Sequence, residues 1–164
     1  MSEQEKIDRA WEVIKRVGIC MLATVYDRGL RARPVEARPD PENGLIWFLT
    51  DVRGAKDDEI AADPDVCLIF IDSKQKVYLS VSGRAEVLRD TPKAEELWND
   101  EQQVWWPGGP GDPYVRVIRF EVALFEYWDG PASSAVAKAE FARAKQTGEK
   151  PNLGEKRKVT VPLQ

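Results

Sequence analysis

The chain has 164 residues, 43% of them apolar and 32% charged, and a net charge of −4; this is the profile of one well-buried globular domain, not of a disordered segment or a general nucleic-acid binder. Its longest apolar run, residues 19–25, is interrupted by Thr24 and is far too short to span a bilayer, and the acidic start Glu3-Gln4-Glu5 is unlike a secretion signal. There is no histidine, which excludes a Ser-His-Asp triad, His-based proton transfer, His-ligated zinc and proximal-His haem, so redox chemistry here would have to be carried by a cofactor.

Ser2 and Glu5 form a capping-box pattern, and Ile7, Ala10, Trp11, Ile14 and Val17 follow helical spacing up to Gly18. The period then changes to that of strands: 19–26, a turn at Asp27-Arg28-Gly29, 30–38, a Pro/Asp/Asn/Gly loop over 39–44, and 45–50. A short helix is predicted over 55–63, ended by Pro64. Strands at 66–72 and 77–88 form a hairpin, with Gly83 marking a bulge or a close backbone approach. A helix over 91–98 starts with Thr91 as N-cap and Pro92 at its first position. Residues 105–113 read as an irregular loop and 114–128 as a long strand with Ile118, Phe120, Val122 and Leu124 on one face, broken by Asp129-Gly130-Pro131. An outer helix over 134–145 and a polar remainder complete the chain. Six strands with appended helices predict a mainly β fold, a closed or nearly closed antiparallel barrel, in one domain over 1–146 with a polar tail over 147–164. Cys20 and Cys67, both in apolar strands, read as reduced core residues, with a redox pair as the alternative; this fits the cytoplasm.

Three segments have the composition for chemistry. On the strand over 30–38, alternation puts Arg31 and Arg33 on one face with Val35 and Ala37; they either grip an anion in forked geometry or guard an edge strand that Pro34 also suits. In residues 47–60 a strand ends at Thr50, turns through Gly54 and starts a helix near Ala55, with Arg53 and Lys56 as cations. That combination suits a phosphate and is equally what an ordinary strand-to-helix turn contains. Trp105, Trp106, Tyr127 and Trp128 are suited to covering a planar ligand, to an interface, or to core and rim packing.

In order and spacing these segments resemble the pyridoxamine 5′-phosphate oxidase-like FMN-binding split-barrel superfamily, in its general stress protein branch. The matching residues are the N-terminal helix, the 19–26 strand, Arg33-Pro34-Val35, Phe48-Leu49-Thr50, Gly54-Ala55-Lys56, Ile60, Tyr78, the Ser82 to Val87 stretch, Trp106-Pro107 and the Phe125 to Gly130 stretch. The resemblance implies a six-stranded antiparallel split barrel binding FMN, with FAD or a deazaflavin as alternatives. It places Arg33 near the phosphate and ribityl chain, Pro34 and Val35 against the ring, and Leu49, Thr50 and Lys56 at the phosphate. Arg53, Gly54 and Ala55 occupy the turn where the oxidase has serine and arginine before its lysine. It further implies a homodimer with flavin at the subunit interface, where Trp106 or Trp128 would approach from the other chain. Tyr78 replaces a glutamine of the oxidase, and the Arg/His grip on the pyridoxine phosphate substrate is missing, so the resemblance does not extend to true oxidase activity. The expected function is a small flavin-dependent oxidoreductase taking hydride from a reduced nicotinamide, with no side chain as acid or base and no metal. The alternatives are a non-catalytic flavin carrier in stress and a deazaflavin-binding reductase. An oligonucleotide-binding barrel using Arg28, Arg31, Arg33 and Arg38 is disfavoured by the acidic charge.

Overall fold

The computed structural model describes residues 2–130 and 134–161, with the backbone but not the side chains of Lys56, Ser134 and Glu155. Helix α1 (Glu3–Val17) starts as its sequence dictates. The Ser2 hydroxyl accepts from the Glu5 N–H at 3.1 Å, and the Ser2 N–H donates back to the Glu5 carboxylate at 2.7 Å. Its apolar stripe, Ala10, Trp11, Val13 and Ile14, is buried on the sheet, with the Trp11 ring edge-on to Phe125 at 5.3 Å.

Eight strands follow among the described residues: β1 (Ile19–Tyr26), β2 (Gly29–Glu36), β3 (Arg38–Asp40), β4 (Leu45–Asp51), β5 (Asp65–Asp72), β6 (Val77–Leu88), β7 (Val115–Asp129) and β8 (Glu155–Thr160). All ladders are antiparallel, and the hydrogen-bonded order is β2-β1-β5-β6-β7-β4-β3, with β8 also on β7. The sheet curls until β2 and β4 approach each other, but no ladder joins those two among the described residues. The barrel is therefore split along this seam. Helices α2 (Lys56–Ala62), α3 (Thr91–Leu97), α4 (Asp100–Trp105) and α5 (Ser134–Thr147) are appended to it.

Several expectations need correction. The strand expected over 30–38 is two strands. Ala37 leaves the β1 ladder and donates its N–H to the Gly18 carbonyl at 2.8 Å, after which the chain pairs with β4 instead. Asp90, not Thr91, caps α3, its carboxylate accepting from the Lys93 N–H at 3.0 Å. The presumed loop over 105–113 begins at the last residue of α4, a helix capped reciprocally by Asn99 and Gln102. Residues 155–160, read as part of a polar tail, form an edge strand that buries Val159 in the core.

Gly83 occupies the expected close approach: an added Cβ would collide with the Glu121 carbonyl and lie 2.6 Å from the Phe120 ring. The register of β6 on β7 slips here, from Ser82–Leu124 to Gly83–Val122, leaving Ala123 as the extra residue. The bulge turns β7 over. Val122 points inward before it, whereas Phe125 and Tyr127 do so after it, and Leu124 is left half-buried. Cys20 faces inward, where burial pushes its thiol up to about 12, and Cys67 alternates outward against the Ser80 hydroxyl. The two free thiols thus lie on opposite faces of adjacent strands. No helix among the described residues is long and apolar enough to cross a membrane.

Candidate functional site

At the seam a cleft of about 460 Å³ opens, walled by Pro34 and Val35 of β2, Leu49 and Thr50 of β4, Arg53 of the following turn, and Trp106 beyond α4. Pro34, Val35, Leu49 and Thr50 meet because the two strands converge without pairing; Arg53 joins them from the turn, and Trp106, expected to approach from the other chain, lines the cleft of its own chain, held there by Asp51. Thr50 is only 2% exposed, and its hydroxyl has no hydrogen-bond partner. Leaving a buried hydroxyl unsatisfied costs about 1–3 kcal/mol, so this atom marks a place that lacks an acceptor or donor. A phosphate oxygen fits that need.

The turn after β4 is organised by Asp51. Its carboxylate accepts the Arg53 backbone N–H at 2.8 Å, Arg53 Nε at 2.9 Å, Arg53 Nη2 at 2.5 Å and the indole N–H of Trp106 at 3.1 Å. The Arg53 hydrogen bonds, joined by that of Trp106 and opposed by burial, hold the carboxyl well below the usual carboxylate range. The guanidinium also lies 4.0 Å over the Tyr114 ring. Arg53 is therefore a cation fixed at the rim, with Nη1 left outside the bidentate pair.

Gly54 closes the turn by donating its N–H to the Asp51 carbonyl at 3.1 Å, and Ala55 precedes α2 without a side-chain cap. Lys56 is the first residue of α2; its side chain lies outside the described residues. Asp57, Asp58 and Glu59 fill the first turn, so the positive end of this short helix already faces carboxylates.

Arg33 and Arg31 are drawn into a separate cluster around Glu59, which is 8% exposed. Arg33 donates to the Thr24 hydroxyl at 2.7 Å and to Glu59 Oε2 at 2.5 Å; Thr24 in turn donates to Glu59 at 2.6 Å. Arg31 pairs with the other carboxylate oxygen and lies over Tyr26 at 5.1 Å. Burial pushes the Glu59 carboxyl up, but the hydrogen bonds from Arg31, Thr24 and Arg33 outweigh it and bring it down to about 2. Trp128 is elsewhere. It lines a second cleft, of about 510 Å³, with its cross-strand partner Tyr78, and Lys156 stands 5.1 Å over its ring.

Sequence reasoning did not single out Asp51, Glu59, Thr24 or Gln102. Thr24 was visible as the polar interruption of an apolar run, and Asn99 with Gln102 three residues on is itself a capping signal. Asp51 and Glu59 carried no signal beyond their charge.

With this geometry in place, comparison with known proteins gives a consistent result. Residues 5–152 match the family described as pyridoxamine 5′-phosphate oxidase like. Protein bli-3 of Neurospora crassa is 25% identical over 123 residues, 70% of this chain, and the chain spans only 59% of that relative's length. A structure described as a general stress protein 26 from Jannaschia sp. CCS1 superposes with a TM-score of 0.74 at 26% identity, covering 98% of this chain and 100% of that one. A general stress FMN/FAD binding protein from Xanthomonas citri superposes with a TM-score of 0.68 at 25% identity, covering 80% and 92% of the two chains. The chain therefore belongs to the pyridoxamine 5′-phosphate oxidase like family.

Proposed function

We propose that this chain is a flavin nucleotide-binding protein of the general stress type, taking FMN in the seam cleft and working as a small cytoplasmic oxidoreductase supplied with hydride by a reduced nicotinamide. The observation that carries this reading is the unpartnered Thr50 hydroxyl, 2% exposed, at the cleft between β2 and β4. When bound, the flavin supplies the two-electron chemistry that a chain without histidine lacks. Thr50 donates to the phosphate, and Arg53 and Lys56 supply positive charge there, whereas Arg33 is committed to Glu59 and Thr24. Pro34, Val35 and Leu49 form the apolar wall that keeps water from the ring. The Xanthomonas citri relative, described as FMN/FAD binding, supports the same reading.

The outward face of the sheet supports a homodimer. Ile71, Tyr78 and Trp128 lie in register across β5, β6 and β7, and all three are exposed, Ile71 to 56%. A contiguous apolar row of this kind is suited to an interface, and a second copy of the chain would cover it.

Thr50→Val tests the assignment, because it keeps the shape and removes only the donor. FMN affinity, read by quenching of flavin fluorescence, is expected to fall roughly ten-fold while the thermal midpoint stays level or rises. Wild-type protein that fails to bind FMN, or a variant that binds it equally well, overturns the site. Loss of flavin absorbance on adding NADH, faster than for free flavin, separates an enzyme from a carrier.

A further inference from the structure

We propose that the mouth of the seam cleft is a subsite for the adenosine diphosphate part of a dinucleotide, with Trp105 as the stacking surface for the base and Arg53 as the cation for a phosphate. This rests on the flavin reading only in sharing its cleft.

Helix α4 has six residues, too few to hold together alone. It is tethered from several sides. Gln102, nine-tenths buried, accepts from the Asn99 N–H at 3.2 Å and from Arg38 Nη2 at 3.4 Å. Gln103 accepts from the Trp98 indole N–H at 3.2 Å and donates to the Pro107 carbonyl at 2.9 Å. Trp106 is tied to Asp51 at 3.1 Å and packs against the Trp98 ring at 5.9 Å. The helix held in this way ends in Trp105, which lines the cleft and yet is 76% exposed. A tryptophan left in water on a fixed frame is a large flat apolar surface without a partner.

Arg53 is fixed in the same way. Asp51 holds Nε and Nη2, and Tyr114 supports the guanidinium face, so the N–H groups of Nη1 need no further ordering to meet an anion. Of the other charges lining the cleft, Glu36 accepts from Arg38 at 2.5 Å; Asp51 is paired with Arg53 itself, so Arg53 meets an anion through the N–H donors of Nη1 and not as an excess of positive charge. The cleft thus offers an unsatisfied hydroxyl at Thr50, an oriented cation at Arg53 and an aromatic plane at Trp105. A mononucleotide whose phosphate meets Thr50 and Arg53 would leave Trp105 unused, whereas a dinucleotide uses all three. The shared ligand chemistry has two sources, a resident flavin dinucleotide or a passing nicotinamide dinucleotide.

The test is a calorimetric titration of the full chain with ADP, FMN, FAD and NADH, for the wild type, Trp105→Ala, Trp105→Phe and Arg53→Ala. ADP is expected to bind the wild type, to bind Trp105→Ala and Arg53→Ala roughly ten-fold more weakly, and to bind Trp105→Phe nearly as well, while Trp105→Ala leaves FMN affinity unchanged. A fall in FAD affinity relative to FMN in Trp105→Ala identifies the flavin dinucleotide as the source; a fall in NADH affinity alone identifies the nicotinamide one. Absence of ADP binding, or ADP binding indifferent to Trp105, overturns the proposal, as does a Trp105→Ala protein whose only change is loss of a dimer on size exclusion. ADP binding through Trp105 without any FMN binding leaves this subsite standing and removes the flavin reading.

Discussion

Two carboxylates close to each other in the chain, Asp51 and Glu59, each hold an arginine, yet they do opposite things with it. Around Glu59 the donors and acceptors are turned inward: two arginines and the Thr24 hydroxyl converge on one buried carboxylate, which ties β1, β2 and α2 together. Around Asp51 the carboxylate is half-exposed and holds Arg53 by one edge, leaving part of the guanidinium at the rim of a cleft whose floor carries an unsatisfied hydroxyl. The same ion-pair chemistry therefore builds structure in one place and prepares a binding surface in the other. What separates them is whether donors are left over, not how many charges are present.

That contrast can be broken or sharpened experimentally. Glu59→Ala leaves the half-buried Arg33 and the exposed Arg31 beside each other without a counter-charge, and should cost about 2 kcal/mol, which for a domain of this size lowers the thermal midpoint by roughly 4–8 °C. A midpoint within a degree of wild type would remove the structural role of Glu59. Its ionisation gives a pH signature. Because the folded carboxyl lies at about 2 against an ordinary 4.5, its stabilisation is complete above pH 4.5 and is lost as the pH falls toward 2. The stability gap between wild type and Glu59→Gln, measured by urea unfolding, should therefore narrow over that interval and be constant above it. Asp51→Asn should cost less, about 1 kcal/mol at most, since the pair it breaks is near water. Its larger effect falls on binding, because Arg53 loses its orientation; FMN affinity should drop several-fold, and an unchanged value would make the pair merely a surface contact.

The fold was legible wherever a residue's own chemistry decided the outcome. Ser2 with Glu5, the alternation in β1, and Gly83 at a point of backbone contact each announce their structure locally. Legibility failed where a partner strand decides. Leu124 continues the spacing of Ile118, Phe120 and Val122, but the bulge at Ala123 hands the inward positions to Phe125 and Tyr127. Strand β8, Glu-Lys-Arg-Lys-Val-Thr, has almost no apolar period of its own and exists because β7 offers it a ladder. At the site, the resemblance named Pro34, Val35, Leu49, Thr50 and Arg53, which line one cleft, but it put Trp106 on the other chain and Arg33 beside the phosphate, whereas Trp106 lines the cleft of its own chain and Arg33 is held by Glu59. The Glu59 cluster was not, since nothing along the chain says that Thr24, Arg31, Arg33 and Glu59 will meet.

The arrangement of β8 has a consequence for anyone trimming this chain. One edge of β7 is shared, its first half pairing with β4 and its second half, residues 124–129, with β8. A version ending before Glu155 would expose the backbone donors and acceptors of that second half beside Phe125 and Tyr127, an open edge of the kind that recruits neighbouring chains into aggregates. The Lys-Arg-Lys run of the last strand acts as a charged selvedge, finishing the fabric so that it does not fray into other molecules.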